Sequence, residues 1–179
     1  MTVATRSRYA PRTRVLHWLA AVLVFSTLIL GFVLANSLAG YPELLGVHKV
    51  LGALVFVVFV FRVINRLNDR GPALPATVGR VERVAVIGSE LGMYLLLLAQ
   101  PLLGWAMVSA SGVPVVVGGV LRLPPIVPAD AELFGLLRNG HSVLAYALVV
   151  MIAAHVSAVL LHTLALRDGM LRRMSFGSE

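Results

Sequence analysis

Four apolar runs dominate this sequence, each roughly 20 residues or more in length, which is what a helix needs to cross about 30 Å of hydrocarbon. They extend from about Val15 to Ala35, Val47 to Leu67, Val84 to Ser109 and His141 to Leu166. A spanning segment in lipid must satisfy its own backbone hydrogen bonds, so each run is expected to be a helix. The predicted fold class is therefore all-α, a four-helix transmembrane bundle forming one domain over residues 1–179. With 59% hydrophobic and 13% charged residues, the chain has too little polar surface for a soluble domain of 179 residues. Pro101 falls inside the third run and is expected to kink it. The first run, with basic residues before it and "LANSLAG" after it, has the outline of a secretion signal. Its apolar core is longer than a signal's, so it is expected to remain as the first helix.

The net charge is +7. In a soluble protein this would point to nucleic acid; here the arginines flank the apolar runs, and no nucleic-acid partner is expected. Arg6, Arg8, Arg12 and Arg14 precede the first run. Arg62, Arg66, Arg70, Arg80 and Arg83 surround the connection between the second and third. Arg167, Arg172 and Arg173 follow the fourth. Of the 15 Lys and Arg residues, all but Lys49, Arg122 and Arg138 fall on one side. The positive-inside rule then places both termini in the cytoplasm. On the other side, the segment from Ser111 to Gly140 is long and partly apolar. Its run from Val113 to Val127 is too short and too broken by Gly and Pro to span, and the segment is expected to cap the bundle or lie on the membrane surface, with a short helix near Ala131 to Leu137.

The chain contains no cysteine. Disulfides, thiolate-held iron–sulfur clusters and covalent C-x-x-C-H haem attachment are excluded. Histidine is the remaining ligand type, and there are five: His17, His48, His141, His155 and His162. An imidazole in hydrocarbon is costly unless something satisfies it. On the fourth helix, His155 follows His141 by about 21 Å of axial rise and lies within about 40° of the same face. His162 lies about 10 Å further on and within about 20° of His155. Depth pairs His48 with His141 toward the outside and His17 with His155 toward the cytoplasm. Two imidazoles drawn from two helices suit a haem clamped between them, one on each axial face of the iron. Packing histidines, zinc and a proton relay are the alternatives. Zinc normally takes three or four close ligands, and a relay needs more carboxylates in line than Glu90 alone.

These residues resemble the bacterial cytochrome b561 family, four-helix di-haem b-type cytochromes of the inner membrane. The likeness rests on "RTRVLHWL" around His17, "GVHKVLGALVFVVFVFRVINR" around His48, "MYLLLLAQPLLGW" on the third helix and "NGHSVLAYALVVMIAAHVSAVLLH" on the fourth. It covers nearly the whole chain. It implies two non-covalent haem b groups, with His17 and His155 as axial ligands of the inner and His48 and His141 of the outer. Members of similar size include superoxide oxidases, which pass electrons from periplasmic superoxide through both haems to ubiquinone. In that group a histidine matching His162 lies beside the quinone. Two departures concern the quinone end: Glu90 stands where many members have histidine, and Arg80 and Arg83 stand where a lysine is common.

The resemblance implies an oxidoreductase whose substrates enter at opposite ends. At the outer end Lys49 and Arg138, joined by Arg122, are candidates to steer a small anion. They can equally be interfacial side chains snorkelling to water, and Glu43, Asp130 and Glu132 offset their charge. At the inner end His162, Glu90 and Arg80 are candidates for the quinone pocket. His162 suits a carbonyl donor or proton carrier, or a helix-end residue held by Asp168. Glu90 can carry a proton, neutralise an arginine or orient a ligating imidazole. The alternative function is a non-catalytic electron relay or membrane anchor serving a periplasmic redox protein. Gly31, Gly52, Gly92 and Gly104 are candidates either to admit flat macrocycles or to allow close helix packing.

Overall fold

The computed structural model describes residues 8–69, 71–73 and 79–176. Four long helices account for most of it: α1 (Pro11–Asn36), α2 (Tyr41–Asn68), α3 (Arg80–Ala110) and α4 (Ala131–Leu160). A π-helical turn, Leu161–Leu166, extends α4, and a short 3-10 turn, Met170–Arg173, follows it. All four helices are long and apolar enough to cross a membrane, which makes the protein a multi-pass membrane bundle. Arg6, Arg70 and the centre of the connection before α3, which entered the charge argument, lie outside the described residues.

Local chemistry sets the helix ends. Pro11 opens α1 at a position where no amide donor is needed. Gly40 takes a left-handed φ of 62°, which turns the chain from α1 into α2 across four residues. Asp130 caps α4 by accepting a 2.7 Å hydrogen bond from the Leu133 amide. α4 therefore starts at Ala131, ten residues before the run used to predict it, and absorbs the short helix expected near Ala131 to Leu137. Pro101 is carried within the continuous helix α3.

α1 packs chiefly on α2 and α3 on α4, with lighter contact between α2 and α3. The sequestered core is thin, with Val24, Val58, Phe59, Ala106 and Leu148 among its members. Large apolar side chains instead point outward: Val22, Ile29 and Val150 are each more than 60% exposed. In water such a surface would aggregate; in a bilayer it is the surface that lipid covers.

The long connection after α3 contains what the sequence reading did not foresee. A two-stranded antiparallel hairpin, β1 (Val115–Val117) and β2 (Leu121–Leu123), pairs Val116 with Arg122. Trp105 Nε1 donates to the Pro124 carbonyl at 2.9 Å, and the Ile126 amide donates to Ser109 Oγ at 3.2 Å, so the segment is tied across the end of α3.

Both chain ends meet at the opposite end of the bundle. The Tyr9 amide donates to the Arg173 carbonyl at 3.1 Å. Trp18 Nε1 donates to the Met174 carbonyl at 3.0 Å, and Arg14 to that of Ser175 at 2.8 Å. Trp18 thus holds the C-terminal segment against α1.

Candidate functional site

Four histidines meet as two pairs. His17 on α1 faces His155 on α4, and His48 on α2 faces His141 on α4; in each pair the ring centroids are 6.3 Å apart. That separation can be tested against a shared metal. A metal–imidazole nitrogen bond is about 2 Å, and a ring nitrogen lies about 1.1 Å from its ring centroid. Two imidazoles on opposite faces of one metal therefore have centroids about 6.3 Å apart. Both pairs have this spacing. Mutual ring tilts of 57° and 78° are no obstacle, because each ring can rotate about the shared axis. Among the described residues no cluster of three or more ligating side chains exists, so the donor set suits a metal that brings its own equatorial ligands.

The surroundings of His48 and His141 follow one pattern. Nδ1 of each is buried without a hydrogen-bond partner. The Thr27 carbonyl lies near His48 and that of Gln100 near His141, although neither contact has the geometry of a formed hydrogen bond. Four residues after each of these carbonyls comes a glycine on the same helix. A methyl group at Gly31 would sit 3.2 Å from Cε1 of His48, and one at Gly104 would sit 3.4 Å from Cε1 of His141. These two glycines let each ring lie against the neighbouring helix. A methyl group at Gly92 would instead meet Met151 at 3.0 Å, a helix-packing contact, while Gly52 faces open space. With Nε2 on a metal, each Nδ1 would carry hydrogen and could donate to the adjacent carbonyl, a common support for a ligating histidine.

The His17 pair is more polar. Arg62 donates from NH1 to His17 Nδ1 at 3.2 Å and lies 5.9 Å from the Tyr94 ring centroid. Trp18 meets His17 edge-on at 5.5 Å. The sequence reading counted Arg62 only as a flanking charge and missed this contact. Its signal was available: an arginine well inside an apolar run.

His162 stands on the π-helical turn. Its Nδ1 is 2.6 Å from Asp168 Oδ2, and its Nε2 is 3.6 Å from Glu82 Oε1. π-turns inside helices are frequent at functional sites. Asp168 lies beyond the membrane-spanning segment. Its carboxyl is held below the ordinary value, first by the His162 hydrogen bond and then by the Met170 amide. Glu82 was not among the predicted site residues; its place beside His162, in the first turn of α3, emerges only from the packing of the helices.

The other predicted residues are dispersed. Glu90 accepts hydrogen bonds of 2.8 and 3.2 Å from Arg66, which matches the arginine-neutralising role among the three considered. Arg80 is exposed at the start of α3 and makes no ion pair with His162 or Glu90. Lys49 lines a cavity of about 470 Å³ with Glu43, Val116 and Gly118, under the β-hairpin. Arg138 is exposed on α4.

Paired imidazoles at metal-bridging separation inside a four-helix membrane bundle define a class, the membrane electron-transfer proteins. Comparison with known proteins narrows it: the profile described as prokaryotic cytochrome b561 matches residues 8–177. The chain belongs to the prokaryotic cytochrome b561 family, which implies haem b as its cofactor and a bacterial membrane as its setting. It is 31% identical to cytochrome b561 homolog 2 of Escherichia coli (strain K12), over 95% of this chain and 92% of that one. It is 26% identical to cytochrome b561 homolog 1 of the same organism, over 94% and 97%. It is 27% identical to the probable superoxide oxidase CybB of Yersinia pestis, over 89% and 90%.

Proposed function

We propose that this chain carries electrons across the inner membrane through two haem b groups, from superoxide in the periplasm to a membrane quinone near the cytoplasm. His48 and His141 would hold the outer haem, and His17 and His155 the inner. The observation that carries the reading is the 6.3 Å centroid spacing in both pairs. Held between two imidazoles, each haem b would supply one-electron transfer when bound.

The chain's own residues provide the rest. The four imidazoles would fix the two sites at different depths. Cationic residues crowd the end where the termini meet, which supports a cytoplasmic location for that end. There the Asp168 carboxylate accepts from Nδ1 of His162 and leaves Nε2 free to exchange a proton with a quinone oxygen. Glu82, 3.6 Å from Nε2, is placed to return that proton. At the hairpin end Lys49 is the cation beside the cavity, and Glu43 on the same wall tempers its attraction for an anion. The exposed apolar tip of the hairpin, with Val120 87% and Leu121 55% exposed, favours a second reading in which a periplasmic redox protein docks there as donor.

The test is an optical and kinetic one. Purified protein from a haem-replete host should show two b-type haems per chain, reduced on rapid mixing with superoxide and reoxidised by quinone. A colourless protein would end both redox readings. Two haems with no superoxide reactivity, together with a stoichiometric soluble partner, would select the relay.

A further inference from the structure

We propose that Arg62 is the anchor for a porphyrin carboxylate of the inner haem, an assignment that rests on the two-haem reading above. Arg62 lies about 9 Å inside the end of α2, on a segment that spans the membrane. A guanidinium stays charged at any accessible pH. Partly buried there between His17 of α1 and Tyr94 of α3, the charge needs an anion or other acceptor. The neighbouring acids are engaged by other arginines: Glu90 by Arg66 at 2.8 Å, and Asp69 by Arg12 at 3.7 Å. Among the described residues, Arg62 has one hydrogen bond, to His17 Nδ1, one ring contact, with Tyr94, and His155 within electrostatic range.

The His17 contact is incompatible with a metal on that ring. A neutral imidazole has one N–H and one lone pair. To accept from Arg62, Nδ1 must hold the lone pair. If iron binds Nε2, Nδ1 carries the hydrogen and meets Arg62 donor to donor. If iron binds Nδ1, the lone pair is consumed. Either way Arg62 loses its acceptor when the inner site is filled, and a charge in the membrane needs another. Haem b would bring two carboxylates to the inner site, and guanidinium pairs with carboxylate in a bidentate fork. Tyr94, in contact with the guanidinium and packed against Phe59 at 6.0 Å, fixes the side from which Arg62 reaches. Arg62 would thus have an acceptor in both states, a ring nitrogen before the cofactor enters and a carboxylate after.

The experiment compares haem b with its dimethyl ester, whose carboxylates are capped. Haem-depleted full-length chain in nanodiscs is loaded with each, and transfer to apomyoglobin is followed. The outer-site phase is identified by its loss in His48→Ala. In the wild type, the ester should leave the inner site about tenfold faster than haem b, the scale of one charge-assisted pair. In Arg62→Gln both forms should leave at the ester's rate. In Arg62→Lys the difference should shrink but persist, since lysine keeps the charge without the fork. Outer-site retention reports that each variant is folded, and Arg62→Lys carries the test if the Gln variant is not. Equal loss of haem b and ester from the wild-type inner site would overturn the assignment, as would a wild-type difference preserved in Arg62→Gln. Failure of the wild type to take up haem in any form would instead remove the two-haem reading itself.

Discussion

Gly31 offers the sharpest test of the outer site, because its effect can be scaled from a single distance. A methyl group there would lie 3.2 Å from His48 Cε1, inside the 3.4–4 Å of ordinary contact. The ring or the helix must retreat by a few tenths of an ångström. Metal–ligand distances tolerate about 0.2 Å, so Gly31→Ala should consume that margin and loosen the outer haem without removing it. Overpacking of this kind typically costs about 1–3 kcal/mol, or roughly 5- to 150-fold in retention. Gly31→Leu puts more atoms where the ring lies and should eliminate the outer haem. Gly52→Leu is the control, since nothing lies within 4 Å of its added Cβ. Haem content by pyridine haemochromogen, combined with a redox titration that resolves the two centres, reads the outcome. The inner centre should be untouched in all three variants. Two haems with an unchanged outer potential in Gly31→Leu would refute the argument that the glycine seats His48.

Three further outcomes follow from the same geometry. His48→Ala and His141→Ala should each yield one haem per chain, with the surviving centre titrating at the same potential in both; two different survivors would break the pairing. Asp168 has a lowered pKa, so its contact with His162 is fully present above the unfolded carboxyl value of about 4 and is lost as pH falls through the lower folded value. Asp168→Asn should therefore give, at neutral pH, the Trp18 emission that the wild type shows only in acid, as the segment carrying the Met174 carbonyl loosens; unchanged emission would dissociate the two contacts. Glu90→Ala removes the ion pair with Arg66 in the last turn of α2 and should lower the thermal midpoint of unfolding in detergent slightly, with a double-variant cycle giving a coupling of up to about 1 kcal/mol. Additive losses in the double variant would show that the pair is not coupled.

What the sequence reveals, it reveals through polarity out of place. The spans are legible because lipid leaves helices as the simplest way to satisfy backbone groups, and the histidines stand out because imidazole is rare in such surroundings. Their partners can be inferred from depth, which is one-dimensional and follows from counting residues. Azimuth is harder. Which face of α2 meets α1 depends on packing, so Arg62 against His17 and Glu82 against His162 are invisible until the helices are assembled. The start of α4 was misjudged because the reading weighted hydropathy over Asp130, a capping residue just before a helical run with Glu132 in its first turn. The hairpin escaped because three-residue strands carry too little pattern to distinguish from an apolar loop.

Both imidazole pairs take one ring from α4. That helix is made after the other three, and His155 follows His17 by more than a hundred residues. Neither pair can close until α4 has entered the membrane, however early α1 and α2 do so. The C-terminal segment that ties back to Tyr9, Arg14 and Trp18 is synthesised later still. Order of synthesis thus acts as a safeguard. A chain cut short before α4 offers only single imidazoles, and insertion of α4 becomes the condition for maturation.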